Sequence, residues 1–225
     1  MLATVEETGE AETMIAAISM MRRRSDISLD QFRRHWLDPH GVMTAELPGV
    51  RYYIQSHSLD APGTNALAKE LAIDGFPQLW FDSIEARRIA YTSPRIAECN
   101  IDSEHFVGAV SRLVAEPEVI VDRPAVDAAK VILIAIGAPD PGWADRLNAR
   151  VMPLEGLVGY VRHTLLEQAA APASKIPELK VQVAGIAEVS FEREATLLRH
   201  GSVLAGASPD AARTAIYRVR DYKLV

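Results

Sequence analysis

The chain repeats itself, and an internal repeat constrains a fold more tightly than any composition does. Leu47-Pro48-Gly49-Val50-Arg51-Tyr52-Tyr53-Ile54-Gln55 matches Leu154-Glu155-Gly156-Leu157-Val158-Gly159-Tyr160-Val161-Arg162 in its Leu, Gly and Tyr. These recur at an offset of 107 residues (156 − 49), which also carries Trp36 onto Trp143. Asp74-Gly75-Phe76-Pro77-Gln78-Leu79-Trp80-Phe81-Asp82 then parallels Ala184-Gly185-Ile186-Ala187-Glu188-Val189-Ser190-Phe191-Glu192 at an offset of 110 (185 − 75).

Each half reads the same way. An apolar run (14–20; 131–136) is expected as a buried strand, followed by a helix (28–45; 143–152). A strand follows the conserved-in-place Gly, then a loop and another strand. A second helix (83–90, extending toward 98; 193–200) and a last strand (112–121; 214–225) close each unit. The order β-α-β-β-α-β is the ferredoxin-like split unit. The expected organisation is an arm over 1–12, one unit over 13–121, a linker over 122–127 and a second unit over 128–225. One such unit covers a single sheet face with helices, so the other face must be buried elsewhere. The fold class is therefore α+β: tandem ferredoxin-like repeats forming a dimeric α/β-barrel-type unit, with the two sheets enclosing a cavity.

Composition narrows the partners. Hydrophobic residues make up 48% of the 225, charged residues 24%, and the net charge is −6. That charge gives no reason to expect nucleic acid or an anionic membrane surface. The one basic run, Arg22-Arg23-Arg24, reads as a solvated turn, and no stretch reaches the roughly 20 apolar residues that span a bilayer. The acidic start lacks the layout of a secretory signal. The single Cys99 excludes internal disulfides and thiolate-cluster metal sites. A cytoplasmic protein is expected.

The run Ile27-Ser28-Leu29-Asp30-Gln31-Phe32-Arg33-Arg34-His35-Trp36-Leu37-Asp38-Pro39-His40, then Leu47-Pro48-Gly49 and Tyr53-Ile54-Gln55-Ser56-His57, resembles the signature of the EthD-domain family. Asp74-Gly75 through Trp80-Phe81-Asp82-Ser83 resembles its third-strand motif. The resemblance covers about 13–121. In the second half the Trp, Gly and Tyr persist, but Leu147 stands where the helix histidine would be. What it implies is a dimeric α/β-barrel fold and a role in small-molecule catabolism or polyketide-type metabolism. Relatives in the wider superfamily include cofactor-free isomerases, cyclases and dehydratases, monooxygenases and haem enzymes.

Strand alternation sorts candidate site residues by face. Val50, Tyr52, Ile54 and Ser56 form the more apolar set and are expected to face helices. Arg51, Tyr53, Gln55 and His57 would then line the barrel interior. The second half would add Val158, Tyr160, Arg162 and Thr164, and the third strands Phe76, Gln78 and Trp80 with Ile186, Glu188 and Ser190. Such an interior suits an aromatic ligand bearing a few oxygen groups. Tyr53, Gln55, Gln78, Trp80, Tyr160 and Arg162 are the expected substrate contacts.

Phe32, Trp36 and His40 are spaced i, i+4, i+8 on one helix face. His40, re-aimed by Pro39, is a candidate general acid or base; the alternative is a histidine that caps the helix. His57 is either a second acid/base group or a solvated strand end. Glu188 is a third catalytic candidate, unless it and Arg162 form a satisfied ion pair. Trp36, Trp80 and Trp143 read first as packing. No metal is expected: His35 and His40, five apart, lie about 140° around a helix, and no H-E-x-x-H spacing occurs. No phosphate loop or serine elbow is present, and no cofactor is expected.

The leading expectation is a cofactor-independent lyase or isomerase (elimination, decarboxylation or isomerisation) acting on a hydrophobic, aromatic small molecule. His40 would move the proton with His57 or Glu188 as counterpart. A cofactor-free monooxygenase is the second reading and a non-catalytic ligand binder the third. Leu147 suggests one working site per chain, and a homodimer is compatible with the pattern.

Overall fold

The computed structural model describes residues 14–138, 140–169, 175–205 and 213–225; the expected arm over 1–12 lies outside them. The strands are β1 (Ile15–Arg23), β2 (Tyr52–Ser58), β3 (Gly75–Phe81), β4 (Val107–Asp122), β5 (Ala129–Ile136), β6 (Leu157–Ala169), β7 (Val183–Phe191) and β8 (Thr214–Lys223). The helices are α1 (Leu29–His35), α2 (Gly41–Ala45), α3 (Ala66–Leu71), α4 (Ile84–Tyr91), α5 (Pro94–Ser103), α6 (Trp143–Val151), α7 (Glu194–Arg199) and α8 (Gly201–Ala205). Among the described residues no helix is long and apolar enough to cross a membrane.

The eight strands close into one antiparallel barrel in the order β1-β3-β2-β8-β5-β7-β6-β4. Strands β4, β1, β3 and β2 form one half of the wall, and β8, β5, β7 and β6 the other. Two seams join them: β2 with β8, and β4 with β6. Strand alternation therefore gives every strand one face toward the lumen and one toward the helices.

The lumen is filled at one end by Ile18, Met20, Phe76, Leu113, Ile134 and Tyr217, all buried. Outside the wall, Phe32, Trp36, Phe106 and Val107 pack under α1, while Leu47, Tyr53, Leu79 and Phe81 pack under α2 and α4. Trp143, Leu147 and Phe191 do the same for the other half. Trp36 and Trp143 lie flat on the sheet because a glycine sits beneath each. A Cβ on Gly75 would fall inside the Trp36 ring, and one on Gly185 would come within 2.5 Å of Trp143 Cε3. The two Trp–Gly pairs are thus the physical content of the matched Trp and Gly positions in the sequence.

The helix expected over 28–45 starts as read, with a capping box: Ser28 Oγ accepts from Gln31 N and Gln31 Oε1 accepts from Ser28 N. It does not run on. Asp38 adopts extended backbone (φ −152°, ψ 120°), so a π-helical turn over Trp36–His40 separates α1 from α2. The cause is Pro39, which disfavours helical backbone at the residue before it and offers no N–H. The second helix, expected over 83–90 with an extension, is two helices split at Thr92-Ser93, with Pro94 starting the second. Helix α3, in the connection read as a loop, is capped by Asn65. Its Oδ1 accepts from Ala68 N at 3.0 Å and its Nδ2 donates to Thr214 O at 2.7 Å.

Gly75→Ala and Gly185→Ala are each expected to cost about 1–3 kcal/mol through overpacking against the indole, seen as a lowered urea midpoint. Gly201→Ala, with no described residue within 4 Å of the added Cβ, is the control and should leave the midpoint in place or raise it.

Candidate functional site

Polar side chains gather in two places: under the helices of the first half, and at one end of the lumen. The first contains most of the residues expected inside the barrel. Tyr53, Gln55 and His57 point out of the lumen toward α1 and α2, and Tyr52, Ile54 and Ser56 point in. The register shows it, since Tyr52 pairs with Trp80 and Ile54 with Gln78, both lumen residues. Apolarity misassigned the faces because the helix-covered side satisfies its polar groups rather than excluding them. Gln55 Nε2 donates to the Trp36 carbonyl at 2.7 Å and to Tyr53 Oη at 2.9 Å, and Gln55 Oε1 lies 3.0 Å from His57 Nε2. The His57 ring stacks on Trp36 at 4.3 Å with a 9° interplanar angle. Burial, helped by the Arg33 guanidinium, pushes His57 down to about 4. Burial likewise raises the Tyr53 phenol well above its ordinary value, so it stays a neutral phenol.

His40 sits at the end of the π-helical turn, buried, with Nδ1 2.9 Å from Asp102 Oδ2. His35 Nε2 reaches the same carboxylate, 3.0 Å from Oδ1. An ideal helix would hold these rings apart, but the break at Asp38 brings both onto one partner. The hydrogen bond from His40, with His35 adding to it, holds Asp102 below the usual carboxylate range against the opposing effect of burial. A carboxylate on Nδ1 selects the tautomer that leaves the Nε2 lone pair available. Asp102 went unseen in the sequence because it lies 62 residues from His40, on α5, with no motif linking them.

His40 borders a pocket of about 80 Å³ with Trp36, Thr44, Tyr53, Cys99 and Arg112 in its wall. That is roughly half of the ~150 Å³ that holds a benzene ring in an engineered cavity. It has room for less than a whole benzene ring and for far less than a haem occupies. Burial raises the Cys99 thiol, so it is not a thiolate.

The second cluster fills the polar end of the lumen. Glu188 Oε1 lies 2.7 Å from His163 Nε2, Glu188 Oε2 pairs with Lys130 Nζ, Lys130 Nζ reaches Asp221 Oδ2 at 2.6 Å, and Ser56 Oγ donates to Asp221 Oδ1 at 2.6 Å. Burial opposes both charges of the central pair, yet Lys130 and His163 hold Glu188 well below its ordinary value, and Glu188 with Asp221 holds Lys130 well above its own. Glu188 is thus a firmly ionised carboxylate and a weak base. Gln78, Trp80 and Glu188 line a cavity of about 520 Å³ here, as expected of them. Arg162 instead points outward and pairs with Glu118 on β4 rather than with Glu188. Tyr160 packs into the outer core with Trp143 and Leu147, although it also borders the cavity mouth. The face inversion seen on β2 explains both, since Tyr160 is the counterpart of Tyr53. Lys130, His163 and Asp221 were missed: Lys130 is a single charge in an apolar strand, and His163 and Asp221 follow arginines in strands whose alternation does not mark them out.

Residues 24–109 match the EthD domain. No curated protein matches the chain. Among solved structures, an anthrone oxidase-like protein superposes with a TM-score of 0.63 at 7% identity, covering 96% of this chain and 94% of its own. A proposed monooxygenase from Fusobacterium nucleatum superposes at 0.58 with 9% identity, covering 93% and 92%. A second, from Lactobacillus acidophilus, gives 0.51 with 9% identity, covering 95% of both. At these identities the likeness is one of fold.

The His57 environment has a pH consequence. An unfolded histidine takes up its proton near 6.5, whereas folded His57 does so only near 4. Between those values the unfolded state binds more protons, so stability falls as pH drops, by about 3 kcal/mol in all. Urea titrations at pH 7 and 4.5 should show this loss, and His57→Gln should flatten it; an unchanged slope in that variant would assign the loss elsewhere.

Proposed function

We propose that this chain, carrying an EthD domain over residues 24–109, is a cofactor-independent enzyme that transfers a proton on a small hydrophobic carbonyl or phenolic compound. The observation behind the reading is the His40–Asp102 pair, 2.9 Å apart at the wall of a small pocket. His40 Nε2 takes a proton from the carbon beside the substrate carbonyl, Asp102 holds the imidazole and balances the imidazolium, and the enolate remains. The neutral Tyr53 phenol and the Arg112 guanidinium, both in the pocket wall, favour that negative charge. Return of the proton at another carbon is isomerisation; departure of a leaving group is elimination; and enolate formation by loss of carbon dioxide, followed by protonation from His40, is decarboxylation. The two βαββαβ halves act here as a fused pair with one working site, because the second half places buried Leu147 where the first has His40.

A second reading uses the same pocket: the carbanion formed at His40 reacts with dissolved oxygen, making the chain a cofactor-free monooxygenase. Its support is that the whole-chain structural neighbours include an anthrone oxidase-like protein and proposed monooxygenases. A ligand binder that returns its guest unchanged is the remaining alternative.

The test is a panel of small aryl ketones, β-keto acids and hydroxy acids followed by mass spectrometry in an oxygen-electrode cell. His40→Ala is expected to lower turnover about 10²–10⁴-fold while circular dichroism still reports a folded chain, and Asp102→Asn to lower kcat and displace its pH profile. Oxygen consumed in step with product selects the monooxygenase. Full turnover in His40→Ala removes the histidine from the mechanism.

A further inference from the structure

We propose that the polar end of the barrel lumen is a binding site for a small aromatic amine, separate from the His40 pocket. Its cavity of about 520 Å³ falls within the usual range for ligand sites. Strands from both halves build it, so a single EthD-sized unit could not make it. The barrel's other end is filled with apolar side chains, which shows that apolar packing suits this lumen. A buried ionic cluster is generally no more stabilising than such packing, so its presence at this end points to a ligand.

The walls specify which ligand. Asp122, Glu188 and Asp221 bring three carboxylates against the two ammoniums of Lys130 and Lys223. Lys130 is already held between Glu188 and Asp221, so the surplus is negative; His163, behind Glu188, is fully buried. Gln78 lines the cavity at 1% exposure, and its Oε1 has no hydrogen-bond partner among the described residues. An unanswered acceptor and surplus carboxylate call for a donor-rich cation. Tyr52 and Trp80 stand edge to face with centroids 6.0 Å apart, and their rings favour an aromatic group and a nearby ammonium. The Trp80 Nε1–H, also without a partner among the described residues, suits an oxygen on the guest ring. A carboxylate guest would meet three carboxylates against two ammoniums, one of them already paired.

The probes are tyramine, tyrosol and 4-hydroxyphenylacetate, which share a hydroxyphenyl ring and end in an ammonium, an alcohol and a carboxylate. Titration calorimetry on the full chain at pH 7 is expected to show one tyramine per chain, tyrosol at least tenfold weaker, and no heat from 4-hydroxyphenylacetate. Ser190→Phe, which fills the cavity from β7, abolishes tyramine binding, and His40→Ala leaves it unchanged, which separates this site from the proton-transfer reading. Should Ser190→Phe fail to fold by circular dichroism, Trp80→Leu must weaken tyramine at least tenfold. The proposal is overturned if 4-hydroxyphenylacetate binds as tightly as tyramine, if none of the three binds, or if tyramine binding survives the folded variant.

Discussion

Everything in this molecule depends on the two seams that close the barrel, β2 against β8 and β4 against β6. A four-stranded sheet with helices on one side leaves a row of apolar side chains and two open edges facing water. Closing eight strands in one ring removes both problems at once. The seams also decide where chemistry can sit. They turn one face of every strand into a lumen shared by both ends of the chain and leave the other face to the helices.

Under the helices, the geometry follows from two local exceptions to regular structure. The missing Cβ at Gly75 lets Trp36 lie on the sheet, and Trp36 in turn supports His57 by stacking and offers its carbonyl to Gln55. Pro39 forces the extended backbone at Asp38, which breaks the helix where His40 must turn toward Asp102. A regular helix over the same residues would carry His40 elsewhere. The candidate acid/base group is therefore positioned by a backbone interruption and then held by a carboxylate from a distant helix.

Inside the lumen the balance is electrostatic. Lys130, Glu188, His163 and Asp221 each lose hydration on burial, and their mutual contacts, with the Ser56 hydroxyl on Asp221, offset that loss. They form one chain, in which Glu188 and Lys130 each bridge two partners. The same contacts make Glu188 too firmly ionised to accept a proton readily.

The sequence by itself determined the strand order, the α+β class, the matched Trp and Gly positions and the EthD motifs, because each is written in short-range spacing. It also singled out His40, Gln78, Trp80 and Glu188. It did not determine which face of β2 and β6 looks inward. Alternation gives two faces but not their assignment, and Tyr53, Gln55 and His57 went to the helix side because partners there satisfy their polar atoms. Nor could it supply Asp102 for His40, or Lys130 and Asp221 for Glu188. Those pairings join residues far apart in the chain, and only closure of the barrel and packing of α5 bring their charges within hydrogen-bonding distance.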